Sequence, residues 1–270
     1  MSNVLLITGG ASGIGAATAR LAAEKGFSIA INYRTRQQDA VRLVEELKET
    51  GVRAIAVQAD ISRPEDVERL FRTVDDKLGL ITALVNSAGI GAARTRVEET
   101  DPAVLQKLFN TNVLGLILST REAVRRMSTV RGGRGGVIVN LSSMASTIGG
   151  RPGATLYAAT KGAVDAFTVG LAKEVAPEGI RAVAVRPGFT ITEMTAGAVE
   201  DPQLLEEISA TIPFGRPGRV EEIAKPVVWL LSEEASFISG AVLDISGGGF
   251  MVGGSRLTAS NKLCETEERI

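Results

Sequence analysis

A tyrosine and a lysine four residues apart are the side chains of this sequence best suited to move a proton. The chain has no histidine and only two tyrosines, and Tyr157 precedes Lys161 in the stretch LYAATK. A phenol has an ordinary pKa of about 10, which a nearby cation lowers by favouring the phenolate. Residues i and i+4 share one face of a helix, so the spacing predicts a phenol that exchanges protons near neutral pH. The alternative is a surface Tyr–Lys pair without a chemical task.

Two kinds of hydrogen-bonding residue precede this pair. Ser142 and Ser143 follow the strand-like segment GVIVNL at 136–141, and Asn112 falls inside a helical segment. Ligands of doubly wound sheets bind beyond the carboxyl ends of the strands, so both serines are expected at the edge where a substrate would lie. Asparagine is a mediocre helix former, which makes Asn112 a candidate for a hydrogen-bonding role, with an ordinary helical position as the alternative.

Strand-like and helical segments alternate along the chain, and they must position these residues. Several strand candidates are apolar throughout, which is typical of strands buried on both faces of a parallel sheet. Between them, the helical pattern is clearest at 64–78, 155–175 and 221–232. The strand candidates are the segments 3–8, 28–32, 53–58, 81–86, 136–141, 180–185 and 240–245.

This alternation predicts the fold class and the domain limits. We expect an α/β protein with a single-domain, doubly wound Rossmann fold, in which about seven parallel strands carry helices on both faces. The domain is predicted to span 1–254 and to include a substrate lid at 192–218. A polar tail at 255–270 shows no clear apolar face.

A glycine-rich loop joins the first strand candidate to the first helix. The segment TGGASGIG places Gly9, Gly13 and Gly15 at this junction. Glycine is needed where φ is positive and where the backbone approaches a pyrophosphate. The helix N-terminus then offers free N–H groups and a partial positive charge to the phosphates. The loop therefore predicts a dinucleotide site, and the alternative is a glycine-rich turn without a ligand.

The end of the second strand candidate indicates which dinucleotide is preferred. Many such folds hold the ribose hydroxyls of NAD with an acid about 20 residues after the loop. Here Tyr33 stands at that place, and Arg34 and Arg36 follow it. An arginine can pair with a 2′-phosphate, so the sequence favours NADP, with NAD as the second choice. The alternative is that both arginines are simply solvated, and Ser12 stands where a second phosphate-binding arginine could have been.

Composition argues against several classes of protein and site. The net charge is −1 and the basic residues are scattered, so no nucleic-acid surface is predicted. No apolar run approaches the roughly 20 residues of a membrane helix, and no leader pattern precedes the first strand candidate. We therefore expect a cytoplasmic protein without a membrane partner. One cysteine, Cys264, and no histidine argue against an internal disulfide and a transition-metal site.

Five motifs in register resemble the short-chain dehydrogenase/reductase family, from residue 3 to about 250. They are TGGASGIG at 8–15, ADI at 59–61, NSAG at 86–89, the set of Asn112, a serine, Tyr157 and Lys161, and RPGFTIT at 186–192. The resemblance implies hydride transfer between a nicotinamide cofactor and a carbonyl or secondary alcohol. It also implies a cofactor site made of Gly9, Ser12, Gly13, Ile14, Gly15, Tyr33, Arg34, Asp60, Ile61, Asn86, Ala88, Gly89, Tyr157, Lys161, Pro187, Gly188, Thr190 and Thr192.

The same resemblance implies a role for each of the four catalytic candidates. Tyr157 would be the general acid in reduction and the general base in oxidation. Lys161 would hold the nicotinamide ribose and lower the pKa of the phenol. Ser143 would hydrogen-bond the substrate oxygen, and Asn112 would anchor a water that relays protons from Lys161.

The position of the serine departs from the family pattern. Ser143 precedes Tyr157 by one residue more than is usual in the family, and Ser142 by two. We choose Ser143 as the substrate contact and expect Ser142 to be structural. The additional residue is expected in the loop at 146–155, whose glycines and proline can absorb it.

The complete catalytic set favours an enzyme over a non-catalytic NADP-binding sensor or scaffold protein. A sugar-nucleotide epimerase or dehydratase would need a larger substrate domain than the segment 192–218. The predicted pocket walls at 144–156 and 189–215, with Met251, carry few charges and favour a neutral, partly apolar small-molecule substrate. Small residues along 155–175 allow close helix approach, and the resemblance implies assembly through this segment into a homotetramer or a homodimer. The alternative is that these residues pack against the protein's own sheet.

Overall fold

A seven-stranded parallel sheet forms the centre of the molecule. The computed structural model describes residues 3–250, so the predicted tail at 255–270 and the predicted wall residue Met251 lie outside the described residues. The strands are β1 (Val4–Thr8), β2 (Ser28–Tyr33), β3 (Ala54–Gln58), β4 (Ala83–Asn86), β5 (Gly136–Leu141), β6 (Ile180–Pro187) and β7 (Val242–Ile245). Their order is β3-β2-β1-β4-β5-β6-β7, and every neighbouring pair is parallel.

Helices of very different length connect these strands. They are α1 (Gly13–Glu24), α2 (Gln37–Glu49), α3 (Pro64–Leu78), α4 (Pro102–Phe109), α5 (Gly115–Met127), α6 (Ala145–Ile148), α7 (Thr155–Val175), α8 (Ala196–Val199), α9 (Pro202–Ala210) and α10 (Val220–Leu230). Within residues 3–250, none of the helices combines the length and the hydrophobicity required to cross a membrane.

The sheet is covered on both faces because its strands are apolar on both faces. Leu5 and Ile7 of β1 belong to one apolar cluster, whereas Val4 and Leu6 belong to another, as the two-residue period of a strand requires. Helices α1, α2 and α10 contribute to the first cluster, and α3, α5 and α7 contribute to the second. The predicted doubly wound α/β fold is therefore confirmed.

The long helices begin and end close to the predicted residues. Helix α3 buries Val67, Leu70 and Val74 at helical spacing, and Pro64 stands at its start, where the missing N–H costs no hydrogen bond. Helices α3 and α7 have the predicted bounds, and α10 ends two residues earlier than predicted. Periodicity over three or more turns is thus sufficient to place these elements.

A crevice opens where the strand order reverses. Strand β2 lies on one side of β1 and β4 lies on the other, so the connections leave the sheet toward opposite faces. Ligands of doubly wound sheets bind at this place, beyond the carboxyl ends of the strands. The strand ends at this edge include Thr8, Tyr33, Asn86, Leu141 and Pro187.

Candidate active site

A cavity of about 760 Å³ lies at the carboxyl edge of the sheet. It brings together cofactor and catalytic candidates from motifs that are far apart in the chain. Three predicted site residues, Gly15, Asn86 and Asn112, are not part of its lining. The predicted residues that line the cavity are Gly9, Ser12, Gly13, Ile14, Tyr33, Arg34, Asp60, Ile61, Ala88, Gly89, Ser143, Tyr157, Lys161, Pro187, Gly188, Thr190 and Thr192.

The glycine loop packs so closely against neighbouring backbone that a side chain at Gly9 or Gly15 would not fit. Gly9 has a φ of 63°, and a Cβ there would lie 2.7 Å from Ala88 Cα. A Cβ on Gly15 would lie 2.6 Å from the Gly9 carbonyl oxygen. The Ser12 side chain does not cap α1, and the first turn of α1 contains no acid. The helix N-terminus therefore keeps N–H groups and partial positive charge for an anion, and the loop fits the pyrophosphate of a dinucleotide.

A buried asparagine that the sequence analysis missed ties this loop to the sheet. Asn32 is 2% exposed, and its Oδ1 accepts a hydrogen bond from Gly9 N at 3.3 Å. Its Nδ2 donates to Ala59 O at 2.9 Å, and its carbonyl accepts from Gly10 N at 3.0 Å. The sequence did contain a sign of this role, because Asn32 is the only amide in the apolar stretch SIAIN, and a buried amide needs hydrogen-bond partners.

The residues expected to select the nucleotide lie at the ends of β2 and β3. Arg34 Nη1 is 3.9 Å from Asp60 Oδ2, and Asp60 Oδ1 accepts hydrogen bonds from the Ser62 amide at 3.0 Å and hydroxyl at 2.7 Å. Arg36 Nη1 is 3.6 Å from Glu193 Oε1 across the cavity. Both guanidinium groups are partly exposed, and both line this end of the cavity.

Asn112 lies beneath the cavity wall in a π-helical turn, Asn110–Leu114, rather than in a regular helix. Its Oδ1 accepts from Ile90 N at 2.8 Å, and its Nδ2 donates to Ile90 O at 2.9 Å and to Thr160 Oγ1 at 3.2 Å. The side chain thereby joins the loop after β4 to α7. Both of its N–H donors are used, so the predicted contact to a water stays a prediction.

Asn86, a predicted cofactor-binding residue, does not line the cavity. It is 2% exposed, and its Nδ2 donates to Thr120 Oγ1 at 3.0 Å and to Asn140 Oδ1 at 2.9 Å. The side chain therefore links β4 to α5 and β5 beneath the cavity. The side-chain amide thus bonds its neighbours in the sheet, as buried amides do, and the contact of Asn86 with a cofactor stays a prediction.

The two serines after β5 have different surroundings. Ser142 is buried and donates from Oγ to Lys161 O at 3.1 Å. Ser143 lines the cavity and hydrogen-bonds the Tyr157 phenol through its side chain, while its Oγ accepts from Ala145 N at 3.1 Å. Both serines line the cavity, but Ser142 Oγ is engaged by the Lys161 carbonyl, and Ser143 is the one whose side chain acts on the phenol.

The lysine lies close to the tyrosine, with consequences for both pKa values. Lys161 Nζ donates to Leu141 O at 2.7 Å and lies 5.7 Å from the centroid of the Tyr157 ring. Burial lowers the pKa of Lys161 from 10.5 to about 8, against the opposing charge of Asp165. Burial also raises the pKa of Tyr157, and the Ser143 hydrogen bond opposes that rise. The expected lowering by Lys161 is therefore wrong for this structure, because loss of hydration is the larger effect on the phenol.

The segment after β6 turns the chain across the cavity. Thr190 Oγ1 donates to Gly188 O at 3.0 Å, and Thr192 N donates to Thr195 Oγ1 at 2.9 Å. These bonds lead the backbone from Pro187, the last residue of β6, into the predicted lid. Thr190 and Thr192 both line the cavity, and their contact with a cofactor stays a prediction.

The substrate side of the cavity carries more charge than the sequence indicated. Arg151 and Arg94 both line it, the first from the predicted wall 144–156 and the second from the loop after β4. Arg151 belongs to the predicted wall itself, and a loop distant in the chain adds Arg94, so this side carries more positive charge than expected. Apolar residues form much of the remaining wall, namely Met144, Ile148, Phe189, Met194, Ile208, Ile212 and Phe250.

Fold and site together define a class of protein. A doubly wound parallel sheet, a glycine cradle for a pyrophosphate and a phenol beside an ammonium group are the features of a dinucleotide-dependent oxidoreductase. Residues 9–249 match the family model described as enoyl-(acyl carrier protein) reductase. The chain belongs to this family, and it is an oxidoreductase of the short-chain dehydrogenase/reductase type.

Relatives and solved structures agree with this assignment. The uncharacterized oxidoreductase YgfF of Escherichia coli strain K12 is 42% identical over 91% of this chain and 99% of its own length. The crystal structure of 3-ketoacyl-(acyl-carrier-protein) reductase from Brucella melitensis complexed with NADH is 33% identical, with a TM-score of 0.82 over 91% of this chain and 97% of that chain. A short-chain dehydrogenase from Burkholderia cenocepacia J2315 in complex with NADP is 32% identical, also with a TM-score of 0.82, over 92% of this chain and 97% of that chain.

Proposed function

We propose that the protein transfers a hydride between a nicotinamide dinucleotide, preferably NADP, and a carbonyl or secondary alcohol. The observation that carries the proposal is that Tyr157, Ser143 and Lys161 line the same cavity as the glycine loop. A nicotinamide cofactor held along the glycine loop would supply or accept the hydride. The crystal structures of relatives with NADH and with NADP support this choice of cofactor.

The chain's own residues would position the substrate and move the proton. Tyr157 would donate a proton from its hydroxyl to the carbonyl oxygen during reduction and accept it back during oxidation. Ser143, which already bonds the phenol, would hydrogen-bond the same substrate oxygen. The Lys161 ammonium would bind ribose hydroxyls, and its charge would oppose the rise that burial causes in the pKa of the phenol without reversing it. Asn112 would act as a positioning residue through Ile90 and Thr160.

Turnover with a broad set of carbonyl compounds tests this function. We expect NADPH to be consumed with at least one ketone, aldehyde or sugar, as measured by the loss of NADPH absorbance. Tight NADPH binding without turnover of any member would instead favour a cofactor-binding sensor or scaffold protein. An epimerase is disfavoured, because between β6 and α10 the described chain offers only the short helices α8 and α9, with a 3₁₀ turn, and no second domain.

The preference for NADP is proposed to depend on Arg34. Replacing Arg34 with alanine should raise the Kd for NADPH by about 10- to 100-fold, the usual effect of removing a charge-assisted hydrogen bond. The Kd for NADH should change little, because it has no 2′-phosphate. Arg42→Ala is the matched control, since Arg42 pairs with Asp39 on the surface outside the cavity. Fluorescence titration measures each Kd, and tighter binding of NADH than of NADPH by the wild type would contradict this assignment.

Assembly through α7 and a cytoplasmic location are also proposed. Ala159 and Ala166 of α7 are exposed, and nothing lies within 4 Å of a Cβ placed on Gly162 or Gly170. Such a face of small residues allows another helix to approach closely. This supports a homodimer or a homotetramer, which sedimentation of the purified protein would distinguish.

A further inference from the structure

Two arginines lie on adjoining loops that line the cavity on the side away from the glycine loop. Arg94 follows β4, and Arg151 lies in the loop that leads to α7 and Tyr157. Thr95 N donates to Gly153 O at 3.1 Å, which joins the two loops directly. A Cβ built on Gly153 would lie 2.9 Å from the Arg94 Cβ, so the two loops are in close contact.

Contacts with the opposite wall hold Arg151 in place. Its Nη2 donates to Thr211 Oγ1 at 3.1 Å, immediately after α9. Its guanidinium lies over the ring of Phe250, 5.6 Å from the centroid. Burial and then the charge of Arg94 lower the pKa of Arg151, while Glu207 opposes this change. The guanidinium is thus partly desolvated and near a like charge.

Neither arginine forms an ion pair with a carboxylate of the described residues. Within residues 3–250, no carboxylate oxygen lies within 4.0 Å of Arg94 or Arg151, although sixteen such pairs occur elsewhere. The described acids that line the cavity are Asp60 and Glu193, and each lies beside an arginine of the nucleotide end. Lys161, which also lines the cavity, carries a further positive charge. Among the described residues, this part of the cavity therefore carries a net positive charge, with Glu207 as the acid that acts on Arg151 from outside the lining.

Arg94 is exposed and Arg151 is partly buried, so a negative group between the two guanidinium groups would be favoured. Like charges repel, and partial burial weakens the screening by water. A guanidinium presents its donors in a planar fork that matches the oxygens of a carboxylate or a phosphate. The phosphates of the cofactor are expected at the glycine loop, on the opposite side of Tyr157, so they do not account for these two arginines.

We propose that the substrate carries an anionic oxygen group, a carboxylate or a phosphate, remote from its reacting carbonyl, and that Arg94 and Arg151 bind this group. The apolar wall formed by residues such as Ile148 and Ile212 accommodates the segment between the two. This inference rests on the proposed hydride transfer at Tyr157. It replaces the neutral substrate expected from the sequence with an amphipathic one.

Matched pairs of substrates test the inference. One series contains oxo-carboxylates of increasing chain length, beginning with acetoacetate, each with its methyl ester. A second pair is dihydroxyacetone phosphate and dihydroxyacetone, which separates phosphate from carboxylate recognition. We expect kcat/KM for the best anion to exceed that of its neutral partner by about tenfold or more. The Arg94→Leu/Arg151→Leu double variant should lose about 10- to 100-fold on the anion and stay within about threefold on the neutral partner.

Arg96→Leu is the control for loss of one positive charge, since Arg96 lies in the same loop, outside the cavity, and pairs with Glu98. It should leave the preference unchanged. NADPH binding, measured in parallel, shows whether the double variant is folded. If wild type and double variant reduce acid and ester equally, the inference is overturned and the hydride transfer stands.

Binding of the same pairs, measured by calorimetry, decides the question even without turnover. If the wild type binds an anion more tightly than its neutral partner, the double variant does not, and no compound is turned over, the anion site stands and the proposed reaction fails. If the wild type shows no preference, or binds neither compound, the anion site is overturned.

Discussion

Replacing Tyr157 with phenylalanine should lower kcat by about 10³-fold while NADPH binding stays intact. The change removes one oxygen from a residue that lines the cavity beside Ser143 and Lys161. General acid–base groups typically contribute 10²- to 10⁴-fold, and the chain has no histidine that could replace the phenol. The experiment compares steady-state rates at saturating NADPH with cofactor binding measured by fluorescence.

The chain offers one matched control, Tyr33→Phe, because Tyr33 is its only other tyrosine. Tyr33 lies at the end of β2, at the nucleotide end of the cavity. At saturating cofactor this variant should keep kcat within about threefold, since it leaves the proton-transfer group untouched. A Tyr157→Phe variant as active as the wild type would show that another group moves the proton.

Replacing Lys161 with methionine should lower turnover by about 10²- to 10³-fold, because a buried cation next to the reacting phenol is lost.

The same substitution should not lower the free energy of unfolding, because it removes the cost of burying a charged lysine. The Lys161 pKa falls from 10.5 to about 8 on folding, which corresponds to a cost of about 3 kcal/mol at neutral pH. Loss of the bond to Leu141 O leaves a buried carbonyl without that donor and offsets about 1–3 kcal/mol of this gain. At pH 7 the variant should therefore be at least as stable as the wild type.

The pH dependence of this stability difference has a definite sign. Below the folded pKa of about 8, both states hold the proton and the cost of burying the charge is fully present. Between about 8 and 10.5, the folded protein has released the proton while the unfolded chain still holds it, so wild-type stability rises with pH relative to the variant. The free energy of unfolding of the variant should therefore fall by about 3 kcal/mol relative to that of the wild type over this range.

Urea unfolding at a series of pH values measures this difference. Lys173→Met serves as the control for turnover, because Lys173 lies on the same helix but is exposed to solvent. It should leave kcat unchanged. A stability difference between Lys161→Met and the wild type that stays constant up to pH 10.5 would contradict a buried lysine with a lowered pKa.

Local patterns in the sequence determined the elements and most of the candidate site. Apolar runs predicted the buried parallel strands, and helical spacing placed α3 and α7 at their observed bounds. These signals are local, since strand burial and helix faces are determined by residues a few positions apart. The glycine loop, Tyr157 and Lys161 were recognisable for the same reason, because each motif lies within one turn or one helix.

Only the tertiary structure decided how distant residues meet. It showed that Asn86 bonds inside the sheet, that Asn32 holds the glycine loop and that Ser143 shares the cavity with Tyr157. Strand register and loop packing place these side chains, and neither can be read from spacing along the chain. The direction of the tyrosine pKa depends on burial for the same reason. The pairing of Arg94 with Arg151 arises because two loops, far apart in sequence, leave the same edge of the sheet.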